Sequence, residues 1–116
     1  MPKPRRSKLL GGSSSHEEQI IGNLIASLIE FEKIETTLTK AKVTKPYADK
    51  VITKAKKGSL HDRRQVLKFI QNKAVVAKLF DEIGPKYQDR DGGYTRITRT
   101  SYRKGDGAEL AVLELV

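Results

Sequence analysis

The fold of this chain is decided at residues 91–116, which read DGGYTRITRTSYRKGDGAELAVLELV. A polar run from Tyr94 to Arg103 holds one aliphatic side chain, Ile97, and lies between two glycine-bearing turns. The segment that follows, AELAVLELV, has apolar side chains at both odd and even positions, which is typical of a central strand. The pattern therefore predicts a hairpin in which a polar strand near the sheet edge pairs with an apolar central strand.

Upstream of the hairpin, the sequence predicts one more strand between two helices. Residues 13–33 form the main core helix, since isoleucine and leucine recur there at steps of three and four. Residues 33–39, KIETTLT, alternate with period two and predict a short strand. A second helix follows between Thr39 and Lys57. Pro46 leaves two possible starts for this helix. It lies either in the first turn of a helix that starts near Lys45, or at a bend in a helix that starts near Lys40.

Two further helices are marked by local end signals. Gly58 ends the second helix, and Ser59 with Asp62 caps a third. A fourth spans roughly residues 73–83, and Gly84-Pro85 ends it. The predicted class is therefore α/β (α+β), a small mixed three-stranded sheet packed with about four helices. Residues 13–116 are expected to form a single domain, and residues 1–12 a basic N-terminal extension that is disordered in the free protein.

Composition excludes several classes of function. The chain has no cysteine, so it contains no disulfide, thiol nucleophile or thiolate zinc site. His16 and His61 are far apart in sequence and show no ligand spacing, so we expect no metal and no cofactor. No apolar run approaches the roughly 20 residues that a membrane-spanning helix needs, so we expect no membrane partner and a cytoplasmic location.

The net charge of +9 on 116 residues favours a polyanionic partner, with nucleic acid first. The basic residues are concentrated in blocks: residues 39–73 hold eleven basic and two acidic residues, and residues 94–104 hold four basic and no acidic ones. Residues 13–38 and the last twelve residues are acidic. This concentration argues for a binding surface rather than for general solubility.

Four groups of cations are candidate RNA contacts, and each has a simpler alternative. The basic extension could be inert, and the lysines of the second helix could form a solvated helix face. Arginines on the apolar arc of the third helix are usually paired or extend to solvent. Charges on an edge strand, such as the hairpin arginines, often prevent aggregation. We favour phosphate contact because few acidic residues are near these cations in sequence, and because hydroxyls accompany the hairpin arginines. The candidates are Lys3, Arg5, Arg6 and Lys8 in the extension; Lys50, Lys54 and Lys57 on the second helix; Arg63, Arg64 and Lys68 on the third; and Arg96, Arg99, Arg103 and Lys104 in the hairpin.

Several motifs resemble those of the bacterial large-subunit ribosomal protein seventeen family. The most specific are GGYTRI at 92–97, LHDRR at 60–64, and the GDGA and ELV elements of the last twelve residues, and the resemblance covers about residues 13–116. It implies a small α/β domain that binds 23S ribosomal RNA on the solvent side of the large subunit, near the polypeptide tunnel exit, without catalytic activity. It also implies neighbouring proteins, including large-subunit protein thirty-two, and no homo-oligomer. The RNA contacts that it adds are Ser15 and His16, and Ser14 beside them is a further candidate.

Two other classes of function compete with a ribosomal role. A free regulator of DNA or RNA would need a recognition helix or a stacking platform, and neither is apparent. A small hydrolase would need converging carboxylates or a nucleophile beside a base. Asp89, Asp91 and Asp106 are better explained as turn formers, since each lies in or beside a glycine-rich turn.

Overall fold

The computed structural model describes residues 14–116, with side chains described from His16 onward. The predicted disordered extension, residues 1–12, lies outside the described residues. The elements are α1 (Ser14–Phe31), β1 (Lys33–Thr37), α2 (Leu38–Lys57), α3 (Leu60–Phe69), α4 (Lys73–Lys78), a π-helical turn (Leu79–Ile83), α5 (Gly84–Lys86), β2 (Thr95–Tyr102) and β3 (Glu109–Leu115).

The three strands form one sheet in the order β1-β3-β2. The predicted α+β class, the hairpin and the central position of the apolar strand are confirmed. Both pairings are antiparallel, so the sheet is antiparallel throughout rather than mixed in strand direction. β2 lies at one edge of the sheet, as its polar sequence predicts.

The helices cover one face of this sheet. Ala111 and Leu113 of β3 are fully buried there, and the strand partners of Leu113 are Ile34 and Ile97. On the opposite face, Leu110 and Val112 are only half-buried. The apolar residues on both faces of β3 thus have unequal environments, because only one face packs against helices.

α2 begins at Leu38, before either start that Pro46 left open, and it is closer to the start near Lys40. The side chain of Thr37 accepts a hydrogen bond from the backbone N–H of Lys40, at 3.4 Å, and so caps the helix. Ala41 and Thr44 are buried in the turns before Pro46. Packing of these turns therefore outweighs the cost of a proline inside the helix. The predicted stop is confirmed, since Gly58 adopts the left-handed conformation (φ 68°).

The prediction that Gly84-Pro85 ends the fourth helix is wrong. The helical backbone continues from α4 through the π-helical turn to Lys86. In that turn the N–H of Gly84 bonds to the carbonyl of Leu79, five residues back. Pro85, which has no N–H to donate, falls in the first turn of α5. The altered spacing therefore accommodates a proline that would interrupt a regular helix.

Two glycines allow helices to approach each other at backbone distance. A Cβ on Gly22 of α1 would lie 2.8 Å from the carbonyl oxygen of Phe69, at the end of α3. A Cβ on Gly84 would lie 2.7 Å from the carbonyl oxygen of Ala55 in α2. The neighbour of Gly22, which the sequence alone does not identify, is therefore the last turn of α3.

Polar contacts fix the hairpin on α2. The Lys45 ammonium lies 3.3 Å from an Asp49 carboxylate oxygen and 3.2 Å from the hydroxyl of Thr95, which donates to Asp49 at 3.0 Å. Near the end of α2, the ammonium of Lys56 donates to the hydroxyl of Tyr94 at 2.8 Å. These contacts join α2 to the start of β2 and set the position of the hairpin.

Candidate nucleic-acid interface

The predicted lysine row on α2 divides into two exposed residues and one that is engaged inside the protein. Lys50 and Lys57 are exposed, and the Lys50 ammonium lies 5.6 Å from the centre of the Tyr47 ring. The Lys54 ammonium donates to the Gln65 side-chain oxygen at 2.6 Å and lies 3.8 Å from the Asp62 carboxylate. Lys54 therefore joins α2 to α3, whereas Lys50 and Lys57 face outward.

The start of α3 explains why Lys54 is held. The Ser59 hydroxyl accepts the backbone N–H of Asp62 at 3.1 Å and donates to the Asp62 carboxylate at 2.5 Å. This is the cap that the spacing of Ser59 and Asp62 predicts. The Ser59 hydrogen bond lowers the pKa of Asp62 below its ordinary 3.8, against the effect of burial, and nearby Lys54 and Lys57 add to the shift. The carboxylate therefore stays ionised and is able to hold Lys54.

Replacing Ser59 with alanine is expected to lower the free energy of unfolding at neutral pH by about 0.5–2 kcal/mol, because the cap is lost. Folding lowers the pKa of Asp62. The ionised carboxylate therefore adds to the free energy of unfolding above the pKa that Asp62 has in the unfolded chain, and this stabilisation is lost as pH falls through its pKa in the folded protein. The deficit of the variant should therefore shrink in acid. Urea unfolding at pH 7 and at about pH 2 measures this. A deficit that does not change with pH would exclude a role for the carboxylate.

α3 presents Arg64 and Lys68 to solvent at a spacing of four residues, so they are neighbours on one helix face. Arg63 is different: it is half-buried, and its guanidinium lies 5.3 Å from the centre of the Phe80 ring. The sequence places Arg63 within the apolar arc of this helix, and packing over an aromatic ring is consistent with that position.

We use the name cationic helix face for four exposed residues on α2 and α3: Lys50, Lys57, Arg64 and Lys68. Among residues 16–116, none of the four has a carboxylate within 4.0 Å. Asp49, the acid nearest in sequence to Lys50, is bound to Lys45 and Thr95. Lys54 contacts α3 and the ring of Tyr47 stacks on that of Phe69, so the two helices that carry these exposed cations are neighbours in the fold.

Sequence reasoning passed over further lysines, of which Lys42 lies on α2 and Lys73 at the start of α4. Both are exposed, and neither has an ion pair within the described part of the chain. Both lie in the strongly basic block at residues 39–73, so the charge pattern contained the signal. His61 is also exposed, and its ring lies 3.0 Å from the amide nitrogen of Gln65.

The hairpin arginines have acidic neighbours, contrary to the impression that the sequence gives. The Arg96 guanidinium donates to Glu114 at 2.8 and 3.0 Å, and Arg99 lies 3.2 Å from Glu109. Both acids come from β3, which the strand register brings alongside β2. Antiparallel pairing thus supplies partners that are ten or more residues away in sequence.

Arg103 is paired within the turn, with Asp106. This hydrogen bond lowers the pKa of Asp106 to about 2 and raises that of Arg103. Lys104, next to it, is exposed and has no ion pair among residues 16–116. The hairpin therefore presents one unpaired cation and three arginines that are already paired.

A register shift between Arg99 and Ser101 also changes which hairpin residues share a face. Arg99 lies opposite Ala111, whereas Ser101 lies opposite Leu110, so the alternation moves by one residue at Thr100. In an unbroken strand Arg99 and Arg103 would share a face, because they are four residues apart. With the bulge, Ser101 lies opposite Leu110 and so shares the face of Arg96, which lies opposite Glu114, whereas Arg103 follows the end of β2.

The remaining predicted contacts belong to the start of the chain. His16 is exposed in the first turn of α1. The side chains of Ser14 and Ser15 lie outside the described residues, as do the extension residues Lys3, Arg5, Arg6 and Lys8.

An open cleft of about 400 Å³ adjoins the cationic helix face at Lys68. It lies between α1 and the connection from α3 to α4. Between residues 16 and 116, no three or more histidine or acidic side chains gather in a way that could hold a metal ion. Over the described residues, no helix is both long enough and apolar enough to span a membrane.

The fold and its surface charge define a class of protein: a small basic α+β domain whose exposed cations on two neighbouring helices have no carboxylate partner among residues 16–116. Comparison with known families identifies it further, because the family described as Ribosomal protein L17 matches residues 20–116. The match includes the whole sheet and all but the first turns of α1. The chain belongs to the ribosomal protein L17 family, which makes it a structural constituent of the large ribosomal subunit with a part in translation.

Proposed function

We propose that this protein binds 23S ribosomal RNA through the cationic helix face and stabilises the folded RNA in the large subunit. The observation that carries the proposal is the set of four exposed cations on two joined helices, none with a carboxylate partner among the described residues. Lysine and arginine side chains of this kind bind phosphate oxygens and displace counterions. The activity is binding, and no catalytic step is proposed.

The hairpin is proposed as a weaker part of the same interface. Arg96, Arg99 and Arg103 would each exchange a carboxylate for a phosphate, so the net gain on contact is smaller than for an unpaired cation. Lys104 has no such exchange to make. The other predicted contacts, which we also propose, are Lys54, Arg63, Ser14, Ser15 and His16.

The position within the particle is also proposed from the resemblance. The expected site is on the solvent side of the subunit near the polypeptide tunnel exit, in the bacterial cytoplasm, with protein thirty-two as a neighbour and one copy of this chain. Residues 13–116 are the proposed RNA-binding domain. The basic extension, residues 1–12, is the proposed arm that orders on the RNA backbone.

Replacing both Arg64 and Lys68 with alanine is expected to remove two phosphate contacts. The slope of log K against log salt should become shallower by roughly 1.4–1.8, and affinity near 0.1 M salt should fall roughly 10- to 100-fold. Filter binding to 23S ribosomal RNA across a salt series measures both quantities. Thermal unfolding should be almost unchanged, because both side chains are exposed.

The matched control is Arg96→Ala with Arg99→Ala, which removes the same number of positive charges from the hairpin. Because both arginines are paired with glutamates, this variant should change the slope less than Arg64→Ala with Lys68→Ala. An equal or larger change in the control would move the main interface to the hairpin. Unchanged slopes in both variants would contradict RNA binding by either surface.

A further inference from the structure

The cleft beside Lys68 has both apolar and polar lining residues. The apolar ones include Ala26, Phe69 and Ile70, of which Ile70 is almost fully buried. Its volume of about 400 Å³ is within the usual range for small-molecule sites. Six polar or charged residues line it: Glu18, Gln19, Asn23, Lys68, Gln71 and Asn72.

The polar lining consists mostly of amides. Gln19, Asn23 and Gln71 are exposed, and no hydrogen bond is formed by their side chains with the rest of the described chain. The Asn72 oxygen accepts from the backbone N–H groups of Ala74 and Val75, at 3.0 and 3.3 Å. Each amide offers donors and an acceptor side by side, which is the pattern that pairs with the edge of a nucleobase.

The cleft is lined by one acidic and one basic side chain. Glu18 lines the cleft and has no ion pair within the described part of the chain, so its carboxylate disfavours an anion there. A carboxylate does accept hydrogen bonds from the amino group of a base. Lys68, by contrast, is an exposed lining residue that also belongs to the cationic helix face, one helical turn from Arg64, so it can contact a phosphate next to the cleft.

We propose that this cleft takes one unpaired nucleobase of the ribosomal RNA whose backbone is held by Arg64 and Lys68. The inference rests on the proposed function, since it needs RNA on the cationic helix face. Sequence-specific recognition of RNA generally uses unpaired bases that leave the stack and bind through their hydrogen-bonding edges. The cleft thus adds base recognition to a surface that otherwise contacts only phosphate.

The test is Asn23→Ala combined with Gln71→Ala in the full chain, bound to 23S ribosomal RNA. Both side chains are exposed, so the variant should fold normally, which circular dichroism and thermal unfolding verify. Chemical probing of base edges should show at least one single-stranded base that the wild-type protein protects and the variant leaves reactive. Hydroxyl-radical footprints of the RNA backbone should be the same for both proteins.

The matched control is Gln88→Ala, which removes an exposed amide on a different part of the surface, where it donates to the carbonyl of Lys56. It should leave every base protection intact.

Base protections that survive in the cleft variant would overturn the proposal while leaving phosphate binding standing. Loss of another ribosomal protein from reconstituted particles, with base protection unchanged, would assign the cleft to a protein partner instead. A wild-type protein that gives no footprint at all would contradict the proposed function itself.

Discussion

Leu113→Ala is expected to lower the free energy of unfolding by about 2–5 kcal/mol, the range for a buried leucine that leaves a cavity. Leu113 is fully buried at the centre of β3, where its strand partners are Ile34 and Ile97. The loss therefore affects all three strands and the helices that cover them. Equilibrium unfolding in urea, followed by circular dichroism, measures the change in midpoint at constant slope.

The control for this variant is Leu110→Ala, three residues away on the same strand. Leu110 is half-buried on the face that the helices do not cover, so its truncation removes less buried surface and leaves no closed cavity. Its cost should be clearly smaller than that of Leu113→Ala. Equal losses in the two variants would show that the open face of the sheet is buried in solution.

Gly84→Ala is expected to destabilise the fold by about 1–3 kcal/mol, as overpacking usually does. Helix propensity alone predicts the opposite sign, since alanine is favoured over glycine by about 1 kcal/mol inside a helix. The new Cβ would lie 2.7 Å from the carbonyl oxygen of Ala55 and 3.0 Å from its carbon. These are backbone atoms that cannot rotate away, so α5 and α2 would have to separate.

Gly92→Ala provides the comparison for this substitution. A Cβ at Gly92 meets no atom within 4 Å, so the variant should match the wild-type protein or gain slightly from a stiffer unfolded chain. Urea unfolding of both variants would distinguish close packing from a general effect of losing a glycine. A stable Gly84→Ala protein would show that the helices are not in backbone contact.

Much of the fold is encoded in signals that span a few residues, and those signals were sufficient. Ser59 and Gly58 mark helix ends through their own geometry, and the apolar run at 108–116 marks a central strand whatever its neighbours are. The effect of Pro46 and Pro85 on their helices is harder to predict from sequence. Tertiary packing around α2 and the π-helical turn before Pro85 determine whether each helix tolerates its proline.

The candidate site was less predictable because its electrostatics depend on pairing across the fold. Arg96 and Arg99 have no acidic residue beside them in sequence, yet antiparallel register places Glu114 and Glu109 next to them. The close approach of Gly22 to Phe69 likewise joins residues 47 positions apart. On α2 and α3, helical periodicity is consistent with the exposure of Lys50, Lys57, Arg64 and Lys68, but it does not indicate that Lys54 is held by Gln65 and Asp62.

The unequal pairing of cations on the helices and in the hairpin has a kinetic consequence. An uneven distribution of unneutralised positive charge gives a molecule an electric dipole, and the field of a polyanion exerts a torque on that dipole during diffusion. The protein therefore rotates before it contacts the RNA. Collisions in which α2 and α3 face the RNA are then more frequent than they would be at random orientation. At an ionic strength of about 0.1 M, salt screens the field beyond about 10 Å. The rate of association should therefore depend on ionic strength even where the final contacts are the same.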